Sequence, residues 1–219
     1  MRPYFITGIG TDVGKTFILS KIIESLLAEN KSVAAIKPII TGIDSDNFSD
    51  SDSYKILNSL RRGDINSRGG VLPPALKQIS PFLFKNPLSP DQAAALENTQ
   101  IPYDELLTFS KEFLAANKQK DYSFIEGVGG VFVPINQDKL VIDLLDDLNI
   151  KVILIANNYL GCLNHTLATL KALEHHDVVI YFNNHPAHDN YAANLASLKN
   201  FTNCPIHTDV AELLLEIKI

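Results

Sequence analysis

The residues best suited to chemistry form one short glycine-rich segment, Gly8-Ile9-Gly10-Thr11-Asp12-Val13-Gly14-Lys15-Thr16. It follows an apolar run at residues 4–7 and precedes apolar residues at helical spacing. Glycines let backbone N–H groups point at a phosphate, and the start of a helix adds a favourable dipole. Lys15 can reach the outer phosphate oxygens, and the Thr16 hydroxyl can bind Mg2+. The segment therefore predicts a loop that binds a nucleoside triphosphate with Mg2+.

Composition narrows the classes of protein to consider. The chain has 219 residues, of which 46% are hydrophobic and 20% charged, as in an ordinary globular protein. Its formal net charge of -6 argues against nucleic acid or an anionic membrane as the main partner. Cys162 and Cys204 make no disulfide framework, and no apolar run approaches the ~20 residues that span a bilayer. We expect a cytoplasmic protein with no targeting segment and no membrane contact.

Strand-like and helix-like segments alternate along the chain. Short apolar runs at residues 4–7, 32–36, 123–125, 152–156 and 178–182 indicate buried strands. Helical spacing follows several of them, at residues 17–27, 163–173 and 191–198. Such alternation predicts an α/β protein with a mostly parallel sheet and helices on both faces. With the phosphate loop, it predicts a single-domain P-loop NTPase fold over residues 1–219.

Residues 41–90 differ from this alternation. The segment begins with polar residues, including Asp44, Asp46, Asp50 and Asp52, and continues with five prolines between residues 73 and 90. Long excursions inside compact domains are usually functional, so we expect a lid or a binding loop here. Most of its acidic residues are expected to face solvent.

Four segments of the chain together resemble the dethiobiotin synthetase family. They are residues 5–16, Lys37-Pro38-Ile39-Ile40-Thr41-Gly42, Glu126-Gly127-Val128-Gly129-Gly130 and Leu160-Gly161-Cys162-Leu163-Asn164-His165. They occur in the family's order, and the five residues between Gly8 and Gly14, one more than in the common phosphate-loop pattern, are also typical of that family. The chain departs from the family pattern at Ile9, Gly10, Asp12 and Tyr159.

The resemblance implies an enzyme, a ligase of biotin biosynthesis. Such an enzyme closes a cyclic urea from 7,8-diaminopelargonate, CO2 and ATP, through a carbamate and a carbamic-phosphoric anhydride. The products are dethiobiotin, ADP and phosphate, and Mg2+ is required. The resemblance also implies a homodimer in which one subunit completes the site of the other.

Roles for individual residues follow from the same resemblance. Lys15, Lys37 and Thr11 would be catalytic, because positive charge must converge on the anionic anhydride. Mg2+ would bind Thr16, Glu126 and Asp52, with Asp50 as the alternative third ligand. The nucleotide would contact Gly10, Thr11, Asp12, Val13, Gly14, Lys15, Thr16, Phe17, Glu126, Gly129 and, at the adenine edge, Asn183.

The diamine substrate would contact two separate parts of the chain. Thr11, Lys37 and Thr41 would bind its carbamate end. Its carboxylate would bind free backbone N–H groups at a strand-to-helix junction, where the residues are Leu160, Gly161, Cys162 and Asn164. Cys162 and His165 alone make a poor zinc site, and we expect them to be structural.

Three other functions share this type of loop. A partition or septum-site switch ATPase would carry a lysine early in the loop, where this chain has a neutral residue. An amide-forming synthetase of corrin biosynthesis would need a glutamine-hydrolysing domain, for which this chain has no room. A non-enzymatic nucleotide-binding module is the third alternative, because a phosphate loop by itself indicates binding and not turnover.

Overall fold

The structure is a computed structural model, and it describes residues 1–43, 52–61, 74–184 and 189–218. Three acidic residues discussed above, Asp44, Asp46 and Asp50, lie outside these ranges, so the alternative metal ligand Asp50 stays a prediction.

Six parallel strands form the central sheet, in the order β2-β5-β1-β6-β7-β8. Two further strands, β3 and β4, pair in parallel as a separate small sheet. The strands are β1 Arg2–Gly8, β2 Val33–Ile36, β3 Ile39–Thr41, β4 Phe82–Phe84, β5 Tyr122–Gly130, β6 Lys151–Asn157, β7 Val178–Asn183 and β8 Ile206–His207.

Helices cover both faces of this sheet, which confirms the predicted fold class. The helices are α1 Lys15–Ala28, α2 Asp52–Arg61, α3 Pro74–Ile79, α4 Pro90–Leu96, α5 Tyr103–Ala116, α6 Val141–Leu148, α7 Cys162–Ala172, α8 Tyr191–Phe201 and α9 Val210–Ile217. Within the described ranges, none of the helices has the length and apolar character needed to cross a membrane.

The strand predictions succeed because buried parallel strands have a strong local signature. Residues 152–157 of β6 are all buried, as expected for a strand covered on both faces. Helix α1 buries Ile18, Leu19, Ile22, Ile23 and Leu26, the residues whose spacing predicted it. Parallel strands that share one direction bring their carboxyl ends to the same edge of the sheet, where ligands bind in open α/β folds.

Two features differ from the sequence prediction. Glu126 does not end its strand, because β5 continues to Gly130 and pairs there with Gly8 beyond an irregularity in β1. The described parts of the 41–90 excursion also contain α3 and β4, which the sequence did not predict, whereas α2 agrees with the helix expected after Asp52. Short elements whose pairing depends on distant residues, such as β4 with β3, leave little periodic signal in the sequence.

The end of the chain is attached to the first strand by one buried hydrogen bond. The Tyr4 hydroxyl donates to the Ile217 carbonyl oxygen at 2.9 Å. Burial raises the pKa of Tyr4 to about 12, so the hydroxyl stays protonated and can donate. This bond links α9 to β1 across the whole sequence.

We expect Tyr4→Phe to lower the free energy of unfolding by about 1–3 kcal/mol, because it leaves the buried Ile217 carbonyl without its donor. Urea denaturation measures the change. The control Lys171→Met removes an exposed pair with Glu174 and should cost no more than about 0.5 kcal/mol. Equal losses in the two variants would contradict the importance of the Tyr4 bond.

Candidate functional site

The glycine-rich segment forms a tight loop between β1 and α1. Gly14 has a φ of 97° and stands immediately before the first residue of α1. A Cβ atom at Gly14 would lie 2.9 Å from Nδ2 of Asn183, so both the backbone angle and the space require glycine. Asp12 also has a positive φ, 57°. The loop therefore holds its backbone in the strained conformations that direct N–H groups toward one point.

Lys15 is buried at the start of α1, with only 7% of its surface exposed. Its ammonium donates to the Gly10 carbonyl oxygen at 2.8 Å, which holds the side chain back over the loop. Burial lowers the pKa of Lys15 to about 8, although the charge of Glu126 opposes the shift. A phosphate anion beside Lys15 would supply the negative charge that this buried ammonium lacks.

A second lysine, Lys37, sits in a cluster of oxygen ligands. Lys37 is 5% exposed, and its ammonium donates to Oε1 of Glu126 at 2.8 Å and also to Asp52. The Thr16 hydroxyl donates to the same Oε1 at 2.6 Å and lies 3.5 Å from the Lys37 ammonium. One ammonium thus contacts the three side chains that the sequence analysis assigned to Mg2+.

The carboxylates keep Lys37 charged. Burial alone would lower its pKa, but Glu126 and Asp52 outweigh burial and raise it. Burial would likewise raise the pKa of Asp52, and Lys37 reverses that effect and lowers it. Glu126 is 1% exposed, and a buried ion pair of this kind stays charged only because each partner compensates the other.

The backbone of Lys37 is fixed from both sides. Lys37 directly follows β2, and Pro38 then prevents further strand pairing. Its N–H donates to the Ile79 carbonyl oxygen at 3.1 Å, and the buried Ser80 hydroxyl donates to its carbonyl oxygen. The last residue of α3 and the residue after it therefore hold Lys37 in place, which the sequence analysis did not foresee.

The oxygen ligands fit a Mg2+ ion. Oε2 of Glu126 is buried without a hydrogen-bond partner, and it belongs to a carboxylate whose other oxygen contacts Thr16. Thr16, Asp52 and Glu126 offer the hard oxygens that Mg2+ prefers. Within the ranges that the structure describes, no three His, Cys, Asp or Glu side chains cluster as a metal site. The protein would thus supply few ligands, and phosphate and water the rest.

These residues line one cleft of about 980 Å³ at the carboxyl edge of the sheet. The structure brings together most of the predicted site residues along its walls. They are Thr11, Asp12, Gly14, Lys15, Thr16, Phe17, Lys37, Thr41, Asp52, Glu126 and Gly129.

Seven predicted site residues do not line this cleft: Gly10, Val13, Asn183, Leu160, Gly161, Cys162 and Asn164. Gly10 and Val13 contribute backbone to the loop, and Val13 is buried. Asn183 donates from Nδ2 to the Val13 carbonyl oxygen at 3.3 Å, so it supports the back of the loop.

The junction of β6 and α7 has the predicted form. Gly161 has a φ of 97° and precedes the first residue of α7. One detail of the prediction is wrong: the N–H of Cys162 is not free, because it donates to the Tyr159 carbonyl oxygen at 3.0 Å in a turn. Because the Cys162 N–H already donates within this turn, it is not available to a ligand. Cys162 is buried and Leu160 is 97% exposed.

Two kinds of residue escaped the sequence analysis. Ile40, Leu88, Val128 and Val133 add apolar surface to the cleft. Asn158 is fully buried among other asparagines beside the cleft. A signal for the latter was present, because Asn-Asn pairs directly follow or end two predicted strands, at residues 157–158 and 183–184.

The fold and the loop define a P-loop nucleotide-binding protein. A family model described as an AAA domain matches residues 2–213. The chain is 37% identical over 180 residues to the ATP-dependent dethiobiotin synthetase of Phenylobacterium zucineum, covering 82% of this chain and 74% of that relative. It is 33% identical to the synthetase of Acidiphilium cryptum, with coverages of 82% and 77%. The chain belongs to the ATP-dependent dethiobiotin synthetase family.

Solved structures are similar in fold alone. A MinC:MinD cell division complex of Aquifex aeolicus gives a TM-score of 0.57 at 12% identity, covering 94% of this chain and 79% of that one. A ParA family ATPase of Chlorobium tepidum gives 0.53 at 15% identity, with coverages of 99% and 90%. At these identities the likeness shows a shared fold and carries no information about function.

We expect Gly14→Ala to lower the melting temperature by about 2–8 °C, since a Cβ at this φ costs about 1–2 kcal/mol and meets Asn183. Gly10→Ala is the matched control, because its Cβ would meet nothing within 4 Å. Thermal unfolding of the nucleotide-free proteins measures both. Similar losses in the two variants would show that the angle at Gly14 is not the cause.

We also expect Lys37→Met to bind Mn2+, a paramagnetic substitute for Mg2+, at least about tenfold more tightly than the unchanged protein in the absence of nucleotide. The change removes an ammonium that contacts both Glu126 and Asp52. Electron paramagnetic resonance measures free Mn2+ directly. Lys55→Met, which removes an exposed lysine 3.6 Å from Asp52, should change the affinity far less. If the unchanged protein, Lys37→Met and Lys55→Met all bound Mn2+ equally well, the oxygens of Asp52 and Glu126 would not be a metal site from which Lys37 excludes the ion.

Proposed function

We propose that the protein is an ATP- and Mg2+-dependent cyclo-ligase that forms dethiobiotin from 7,8-diaminopelargonate and CO2. The observation that supports this most directly is the meeting of Lys15, Lys37 and three oxygen ligands in one cleft. CO2 adds to one amine as a carbamate, ATP phosphorylates the carbamate, and the second amine displaces phosphate as the ring closes. Membership of the synthetase family supports the same reaction.

The two lysines provide the electrostatic part of catalysis. The γ-phosphate, the carbamate and the mixed anhydride are all anions, and phosphoryl transfer depends mainly on position and charge. Lys15 reaches toward the phosphates from the loop, and Lys37 reaches toward the carbamate from the end of β2. Both ammonium groups are buried, which strengthens their interaction with an anion.

The hydroxyl and carboxylate side chains of the cleft would form two groups, one that binds Mg2+ and one that binds the carbamate. Thr16, Asp52 and Glu126 would hold Mg2+, and the ion when bound would neutralise phosphate charge. Thr11 and Thr41 line the cleft and would donate hydrogen bonds to the carbamate. A Cβ atom at Gly129, whose φ is 60°, would lie 2.6 Å from Cγ2 of Val133, so the cleft wall beside Thr11 requires glycine there.

The cleft also has a wall suited to the body of the diamine. Ile40, Leu88, Val128 and Val133 line it, and Leu88 is part of the Pro87–Pro90 turn. A chain of methylene groups packs favourably on such side chains, at about 25 cal/mol per Å² of buried apolar surface. The carboxylate at the far end of the diamine would then lie beyond the reach of Lys15 and Lys37.

A second copy of the chain would bind that carboxylate. The junction at residues 160–164 does not line the cleft of its own subunit, and Leu160 projects almost entirely into solvent. In the described part of the chain, no acceptor meets the N–H groups of Gly161, Leu163 and Asn164. We therefore propose a homodimer in the cytoplasm, in which this junction closes the partner's cleft.

Asn183 would contact the base of ATP. It stands at the end of β7 and touches the back of the phosphate loop through Val13. Its side-chain amide has two N–H donors and a carbonyl acceptor, which can match the donor and acceptor at the adenine edge. The switch-ATPase alternative is supported less, because the MinD and ParA structures match this chain in fold alone.

The proposed reaction makes a direct test possible. Purified protein given 7,8-diaminopelargonate, bicarbonate and Mg-ATP should release ADP in step with a ureido product, detected by mass spectrometry. Lys37→Met should bind a nonhydrolysable ATP analogue within about threefold of the unchanged protein, yet lose at least about 100-fold in kcat, since its charge acts on the developing anion.

Two outcomes would count against the proposal. A folded protein that binds ATP but makes no ureido product from the authentic diamine is not this ligase. If Lys37→Met lost nucleotide binding and kept turnover, the role given to Lys37 would be wrong. ATP hydrolysis without diamine, together with dimerisation only on ATP addition, would favour a switch ATPase.

A further inference from the structure

A group of asparagines occupies the carboxyl ends of β6 and β7, beside the phosphate loop. Asn158 lies at its centre and is 0% exposed. Its backbone N–H donates to the Asn183 carbonyl oxygen at 2.9 Å, continuing the contact between the two strands by one residue. No role in binding or catalysis has been given above to Asn158.

The side-chain amide of Asn158 is used completely. Nδ2 donates to Oδ1 of Asn184 at 3.1 Å and to Oδ1 of Asn190 at 3.2 Å. Oδ1 accepts from Nδ2 of Asn194 at 2.8 Å and from Sγ of Cys162 at 3.9 Å. Two donors and two acceptor lone pairs are the full capacity of an amide, and few other side chains offer both.

These four bonds join parts of the chain that have separate functions. Asn184 and Asn190 belong to the connection from β7 to α8, next to Asn183, which contacts the phosphate loop at Val13. Cys162 is the first residue of α7, at the junction proposed to bind the carboxylate. Asn194 also donates to Sγ of Cys162 at 3.6 Å, so α8 reinforces the same corner.

We propose that Asn158 is a positioning residue that fixes Asn183, at the end of β7, and the N-terminus of α7 relative to the phosphate loop. Different atoms of its amide serve the two sites: Nδ2 holds Asn184 and Asn190, and Oδ1 accepts from Asn194 and Cys162. The part that concerns the diamine rests on the ligase reaction proposed above, and the part that concerns the nucleotide rests only on the contact proposed between Asn183 and the base.

Removal of the amide should loosen both sites without touching the reacting atoms. Asn158→Leu keeps the size of the side chain and loses all four bonds, which leaves buried polar groups without partners. We expect Km to rise at least about tenfold for both ATP and the diamine, while kcat stays within about threefold. Steady-state kinetics and calorimetric binding of an ATP analogue measure these quantities.

Substitution of one partner of Asn158 at a time separates the effect on nucleotide binding from the effect on diamine binding. Asn190→Ala should weaken nucleotide binding and leave the Km for the diamine unchanged, and Asn194→Ala should do the reverse. If Asn158→Leu does not fold, these two variants still test whether the asparagine network positions the two binding sites. Tyr4→Phe is the control for lost stability, because Tyr4 is level with the first residue of β6, far from the carboxyl end of that strand where Asn158 lies, and the change should leave both Km values unchanged.

Two results would overturn the proposal. In the first, the asparagine variants have a lower melting temperature but keep both Km values within threefold of the unchanged protein. The network would then contribute to stability only. The other is an equal effect of Asn190→Ala and Asn194→Ala on both ligands. If the protein binds nucleotide but never forms a ureido product, the proposed reaction fails, while the calorimetric result with Asn190→Ala still tests the nucleotide arm.

Discussion

The site depends on one buried ion pair, between Lys37 and Glu126. An ammonium and a carboxylate that are this deeply buried pay a large desolvation penalty, and close contact at 2.8 Å is what offsets it. Neighbouring parallel strands make the contact possible, since Lys37 follows β2 and Glu126 lies within β5, its partner in the sheet. Removing either residue would leave the charge of the other buried and without this partner. The pair therefore requires β2 and β5 to keep their register at this point.

Several neighbouring features are consequences of this pair. Asp52 at the start of α2 adds a second carboxylate beside the ammonium, which draws part of the 41–90 excursion against the sheet. Thr16 donates to Glu126 and so connects α1 to the same cluster. Ser80 and Ile79 hold the backbone of Lys37. The same oxygens of Asp52 and Glu126 that stabilise Lys37 are those that would hold Mg2+.

The other side of the phosphate loop is held by neutral amides instead of charges. Asn183 contacts Val13, and Asn158 joins the strand ends behind it. Amides suit this position because they can satisfy several buried partners without the desolvation penalty of a charge. The loop is thus placed between a charged cluster that would act on phosphate and carbamate and a neutral network that would set the positions of base and carboxylate.

Local patterns in the sequence determined the phosphate loop, the five buried strands β1, β2, β5, β6 and β7, and the helices α1, α7 and α8, because glycine spacing and apolar periodicity act over a few residues. Family-specific segments also named Lys37, Thr16 and Glu126. Only the tertiary structure decided that Lys37 and Glu126, 89 residues apart, touch, that β5 continues past Glu126, and that the Cys162 N–H is used in a turn. It also decided the contacts of Asn158, whose partners lie up to 36 residues away. Contacts of this kind depend on how strands are ordered in the sheet, and that order leaves no periodic trace in the chain.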